Sequence, residues 1–118
     1  MYSGPIIDPH NHLWDLSMGK HPWLSPSDPT VQAIDGLAEI ARDYVVDDYV
    51  RDSRDQNVVA SVHIEALWAG DPVGETRWLD TLDKSKGVAL RYVAGASLGK
   101  PGAEAIIVEQ ASFDRVTG

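Results

Sequence analysis

The sequence predicts an α/β fold with a parallel sheet. Three apolar runs with strand patterning alternate along the chain with segments of helical spacing. Alternating elements of this kind build βαβ units, whose strands run parallel. The 118 residues, 43% of them hydrophobic and 24% charged, are enough for one small globular domain.

The first predicted strand runs from Pro5 to His12. Because side chains alternate along a strand, Asp8, His10 and His12 are expected on one face and Asn11 on the other. The strand is followed by a long loop that is rich in tryptophan and proline.

Two helices are predicted before the next strand. The apolar spacing from Val31 to Arg42 favours the first helix, although Gly36 weakens it. Asp47 is expected to cap a second short helix that ends near Asp55.

The strongest strand pattern extends from Val58 to Ala66 and has one apolar face. Ser61, His63 and Glu65 occupy the other face. If the apolar face meets the helices, Glu65 points into the mouth of the site at the carboxyl end of the strand. His63 lies one layer deeper and is expected to be a hydrogen-bonded core residue rather than a ligand.

A further helix, strand and helix complete the predicted order. Asp71 and Pro72 are a good helix start, and the helix should end near Gly87. On this helix Arg77 is expected to pair with Glu75 or with a surface carboxylate. The third strand is predicted for Ala89–Leu98 and the third helix from Pro101 to about Phe113, with four residues facing inward: Ala105, Ile106, Val108 and Ala111.

The motif with the clearest chemistry is His10-Asn11-His12 at the end of the first strand. Two imidazoles two residues apart on a strand point the same way and can reach one metal ion, and imidazole suits zinc among others. Ligands of α/β sheets bind at the carboxyl ends of strands, where this pair is placed. The alternative is two histidines with local hydrogen bonds only.

One segment resembles the N-terminal part of proteins of the amidohydrolase superfamily: Asp8-Pro9-His10-Asn11-His12-Leu13-Trp14-Asp15. The resemblance is to the amidohydrolase-related branch, which includes lactonases. Two further segments are similar to the same branch: residues 57–66, as a second strand, and residues 74–79, as the start of the following helix. The resemblance implies a (β/α)₈ TIM barrel, of which residues 1–118 would form the three N-terminal βα units, because such barrels need about 250 residues.

The resemblance also implies the function. It indicates a metal-dependent hydrolase of small cyclic esters, with His10 and His12 as ligands of a divalent ion, zinc or manganese. Glu65 and Trp14 are the expected substrate contacts. The remaining ligands and the catalytic Asp would lie outside this chain, so no catalytic residue is assigned within it. Two alternatives stay open, a non-oxidative decarboxylase of the same superfamily and an inactive barrel fragment.

Composition excludes several other classes. The net charge of −8 argues against nucleic acid or an anionic membrane as a partner, and the absence of cysteine excludes thiolate metal sites. The N-terminal residues lack a secretory h-region, which predicts a cytoplasmic protein. The resemblance implies a small molecule as the substrate. A piece of three βα units exposes strand edges, so homo-oligomers are one expected outcome.

Overall fold

The sheet of this protein has three strands, all parallel, in the order β1-β2-β3. The computed structural model describes residues 2–118. The strands are β1 (Ile6–Asn11), β2 (Val58–Ile64) and β3 (Arg91–Val93). The predicted parallel α/β fold is confirmed, although β3 is shorter than the expected Ala89–Leu98.

Five α-helices connect and flank these strands in the described residues. They are α1 (Pro29–Ala33), α2 (Leu37–Ile40), α3 (Val46–Asp52), α4 (Val73–Thr81) and α5 (Ala103–Ala111). None of them is long and apolar enough to cross a membrane. The single helix predicted from Val31 to Arg42 is wrong: Gly36, at φ 76°, separates α1 from α2.

Several predicted helix details differ from the structure. The α3 helix is stabilised by Asp48, which accepts the N–H of Val45, rather than by Asp47. In α5 the buried residue is Gln110, whereas Val108, expected to face inward, is 66% exposed. Gln110 is buried because its amide oxygen accepts the hydroxyl of Thr76 at 2.6 Å, so hydropathy alone misidentified the inward face.

The main core lies between the sheet and helices α3 and α4. Its buried residues include Leu13, Tyr49, Leu79 and Tyr92. Tyr92 is fully buried, and its hydroxyl donates to Asp80 at 2.8 Å. A second apolar cluster, around Leu24, packs under the loop that follows β1.

The polar face of β2, and not the apolar one, packs against the helices. Ser61 and His63 are 1% and 0% exposed, while Val62 and Ile64 are only half-buried. The polar atoms are satisfied there, since the Ser61 hydroxyl accepts the N–H of Ala89 at 2.9 Å. The premise behind the predicted direction of Glu65 is therefore wrong, whereas the core position of His63 agrees with the sequence.

An irregularity in β1 changes its predicted alternation. Between Asp8 and Asn11 the strand advances three residues, while the paired stretch of β2 from Ser61 to His63 advances two. The extra residue of such a β-bulge turns the following side chains to the opposite face. Asp8, at the start of this irregularity, accepts the hydroxyl of Tyr49 on α3 at 2.7 Å.

Candidate metal centre

The imidazoles of His10 and His12 converge at the carboxyl-terminal edge of the sheet. Their ring centroids are 5.0 Å apart, and the two Nε2 atoms are 3.2 Å apart. Asp8 supports this turn of the chain, because its Oδ1 atom accepts the N–H of His10 at 3.1 Å. The bulge therefore leaves both rings on the same side.

Hydrogen bonding determines the tautomer of His12. Its Nδ1 atom lies 2.8 Å from the carbonyl oxygen of Ile64, and a carbonyl can only accept, so Nδ1 carries the proton. Burial is the largest cause that lowers the pKa of His12, with His63 and His10 acting in the same direction and the Ile64 hydrogen bond opposing them. The neutral ring thus presents the Nε2 lone pair towards His10.

The separation of the two nitrogens fits shared coordination of one ion. Two nitrogens at about 2.0–2.1 Å from a zinc ion, with an angle of roughly 90–110° at the metal, lie about 2.9–3.4 Å apart. The observed 3.2 Å falls within this range. In a metal-binding histidine, the ring nitrogen that does not bind the metal usually donates its N–H to a carbonyl or carboxylate, as Nδ1 of His12 does.

The two histidines supply only part of a ligand set. Within residues 2–118 no group of three or more His, Cys, Asp and Glu side chains is placed to hold a metal ion. Asp8, the nearest carboxylate in sequence, is engaged by Tyr49 and by the backbone of His10. Among the described residues, the histidine pair therefore has no carboxylate free to join it at this site.

A cleft of about 370 Å³ opens beside the histidine pair. It is lined by Asp8, His10, Asn11, His12, Trp14, Ile40, Arg42, Tyr44 and Tyr49. Trp14 stacks on His12, with centroids 6.1 Å apart, and its indole N–H donates to the carbonyl of Arg42 at 2.7 Å. Of the predicted substrate contacts, Trp14 thus shares a cleft with the candidate ligands.

Glu65 lines a different and smaller cleft, of about 220 Å³, together with Trp68 and Gly95. Its Oε2 atom accepts the N–H of Leu67 at 2.9 Å, and Leu67 takes a positive φ of 56°. The carboxylate therefore stabilises the turn after β2. Substrate contact by Glu65 stays a prediction.

The remaining tryptophans pack mainly against protein. Trp23 donates to the carbonyl of Ala66 at 2.9 Å, and Trp78 stacks with Trp68 at 5.9 Å. His21 is enclosed among these rings and is 2% exposed, and neither of its ring nitrogens has a partner within residues 2–118. Burial lowers the pKa of His21, an effect that Glu75 partly opposes.

This burial predicts a stability that falls in acid. An unfolded histidine takes up a proton below its ordinary pKa of about 6.5, which the folded His21 resists, so the free energy of unfolding decreases as the pH falls below about 6.5. In His21→Phe the decrease should be smaller, because phenylalanine does not titrate. Urea denaturation of both proteins at about pH 7.5 and about pH 5.5 measures it, and equal decreases would contradict the prediction.

Comparison with known proteins gives relatives of about three times the length. The uncharacterized protein y4mH of Sinorhizobium fredii is 32% identical over 114 residues, which are 96% of this chain and 38% of that protein. Amidohydrolase 2 from Bifidobacterium longum subsp. infantis has the same fold in the matched region, with a TM-score of 0.56 and 22% sequence identity. That match covers 79% of this chain and 33% of the Bifidobacterium chain. No family model matches the chain.

A crystal structure of an amidohydrolase from Burkholderia multivorans, with bound HEPES, superimposes with a TM-score of 0.63 at 25% identity. The match covers 95% of this chain and 34% of that one. The chain is thus similar in sequence and in fold to this amidohydrolase. It spans about a third of the length of the two amidohydrolases it matches.

Of the two partners predicted for Arg77, the surface carboxylate is confirmed, since its guanidinium binds Asp71 and Glu109 and not Glu75. The burial of Glu75 was missed at the level of sequence. Glu75 is 3% exposed and lies 2.9 Å from His63. Its position in the first turn of α4, close to the end of β2, was the available signal.

Proposed function

We propose that the complete protein containing this chain is a metal-dependent hydrolase that opens small cyclic esters. His10 and His12 would hold its divalent ion, zinc or manganese. The observation that carries the proposal is the 3.2 Å separation of their Nε2 atoms at the carboxyl ends of parallel strands. The similarity to the amidohydrolase from Burkholderia multivorans supports it.

The role of each residue follows from its contacts. His12 keeps its proton on Nδ1 for the carbonyl of Ile64, so His12 serves as a ligand and not as a general base. Trp14 covers one side of the His12 ring and restricts its rotation. A divalent ion at this site supplies Lewis-acid polarisation of an ester carbonyl and activation of water.

The walls of the cleft favour a small substrate that carries a carboxylate. Trp14 and Ile40 offer apolar surface, and Arg42 is the one Lys or Arg residue among the lining residues. A guanidinium recognises a carboxylate by paired hydrogen bonds, so a lactone with an acidic substituent fits the cleft better than a neutral one. Glu65 would contact the substrate from the neighbouring cleft.

The test is a substrate panel for the complete gene product, loaded separately with zinc and manganese. We expect acid release from carboxylated lactones, faster with metal than after chelation, and slower for matched neutral lactones. An Arg42→Gln variant should lose the preference for the carboxylated members, since glutamine keeps hydrogen bonding without the charge.

The outcomes separate the alternatives. Release of CO₂ from aromatic acids, without ring opening of any lactone, would replace the hydrolase with a decarboxylase of the same superfamily. Acid release that is unaffected by metal removal would exclude the assigned role of the two histidines. Equal selectivity in Arg42→Gln would remove Arg42 from the substrate site.

A further inference from the structure

A buried polar pair lies behind the histidine edge. His63 is fully buried, Glu75 is 3% exposed, and the His63 Nε2 and Glu75 Oε1 atoms are 2.9 Å apart. Burying polar groups in this way is costly unless each is hydrogen-bonded. His63 and Glu75 meet this condition by bonding to each other and to the backbone N–H groups of Leu13 and Ala66.

The pair joins the ends of two strands. The N–H of Leu13, next to His12, donates to Nδ1 of His63 at 3.1 Å. Since Nδ1 accepts, the ring proton is on Nε2 and is donated to Glu75. The same carboxylate oxygen accepts the N–H of Ala66 at 3.0 Å, immediately after Glu65.

Glu75 is well placed to carry a charge in this position. It is in the first turn of α4, a helix of nine residues, where the helix dipole favours an anion. The carboxylate and its two donors thus form a fixed joint between α4, β2 and the loop after β1.

We propose that His63 and Glu75 are positioning residues that hold His12 in the orientation needed at the candidate metal centre. The inference rests on the proposed function for the identity of the ligand, but the joint itself is defined by the contacts of this chain. Two hydrogen bonds to β2 fix the position of His12. Its own ring bonds to the carbonyl of Ile64, and the N–H of the adjacent Leu13 bonds to the ring of His63. If the contact between His63 and Glu75 is lost, only the hydrogen bond between His12 and Ile64 still fixes the ring directly.

A second buried link from α4 provides a matched control. Thr76, adjacent to Glu75 and 2% exposed, donates to Gln110, whose amide donates to the carbonyl of Gly95 at 3.3 Å. This link ends after β3, with no contact to β1 among its hydrogen bonds. Thr76→Val therefore removes a buried hydrogen bond of the same helix without loosening His12.

The experiment compares Glu75→Leu, Glu75→Gln and Thr76→Val in the complete gene product. Zinc affinity is measured by chelator competition, and amide hydrogen exchange is followed at Leu13 and Ala66. Glu75→Leu should weaken zinc binding about 10–100-fold, as loss of groups that orient ligands does. Glu75→Gln retains an acceptor oxygen and should restore most of the affinity, whereas Thr76→Val should leave it within about threefold, because its link does not reach β1.

Hydrogen exchange of the unaltered protein decides the inference even if Glu75→Leu does not fold. We expect the amides of Leu13 and Ala66 to exchange only through global unfolding, as slowly as that of Tyr92. Faster exchange by local opening would overturn the inference, as would a loss of affinity in Thr76→Val as large as that in Glu75→Leu. Unaltered protein that binds neither zinc nor manganese but protects both amides would contradict the proposed function and keep the joint.

Discussion

Simultaneous replacement of His10 and His12 by alanine is expected to remove nearly all bound metal from the complete protein and to reduce lactone turnover about 100-fold or more. A bound metal ion supplies several kcal/mol of transition-state stabilisation, and about 1.4 kcal/mol corresponds to a factor of ten in rate. The Nε2 atoms of these residues, 3.2 Å apart, are the donors that converge in the described chain. Metal content by mass spectrometry and initial rates on a carboxylated lactone measure the effect.

The control for this pair is His21→Phe. His21 is a buried histidine near Trp14, and it does not line the cleft. Its replacement should leave the metal content unchanged. Full metal occupancy in the double alanine variant would refute the site, and equal metal loss in His21→Phe would show that the loss reflects general damage.

Gly87→Ala is expected to destabilise the folded protein by about 2–5 kcal/mol, from backbone strain and overpacking together. Gly87 has a φ of 78°, and a Cβ atom there would lie 2.2 Å from the carbonyl oxygen of Val59. The neighbouring atom belongs to the backbone of β2, so it cannot move aside without disturbing the sheet. Gly87 also accepts the N–H of Ser61 at 2.9 Å, which keeps the two segments close.

Gly19→Ala separates the two contributions. Gly19 has a φ of 65°, but no atom lies within 4 Å of its Cβ position, so only the conformational cost of about 1–2 kcal/mol is expected. Denaturant unfolding of both variants measures the difference. Equal destabilisation would show that the contact with Val59 relaxes at no cost.

The sequence was informative where one residue pattern determines one outcome. The His-x-His spacing at a strand end predicted two rings on one side, and the structure places them on one side. The Asp71-Pro72 pair predicted a helix start, and Asp71 accepts the N–H of Val73 at the beginning of α4. Local backbone chemistry is sufficient in both cases.

The errors concern features that depend on distant partners. Simple alternation does not predict the β-bulge between Asp8 and Asn11, because the bulge depends on the pairing of β1 with β2, which the segment itself does not encode. Hydropathy also assigned the wrong face of β2 to the helices, since Ser61 and His63 are buried by virtue of hydrogen bonds to Ala89 and Glu75. A hydrophobic pattern does not predict the burial of polar side chains whose hydrogen-bond partners are distant in the sequence.

The first strand is tied to two different neighbours within five positions. Asp8 accepts the hydroxyl of Tyr49 on α3, while the ring of His12, four residues later, bonds to the carbonyl of Ile64 on β2. A shift of the strand by one position would break the Tyr49 anchor and turn the imidazoles towards the helices at the same time. The register of the first strand is therefore fixed at both ends. A chain with a shifted register would lose stability and also the convergence of the His10 and His12 imidazoles.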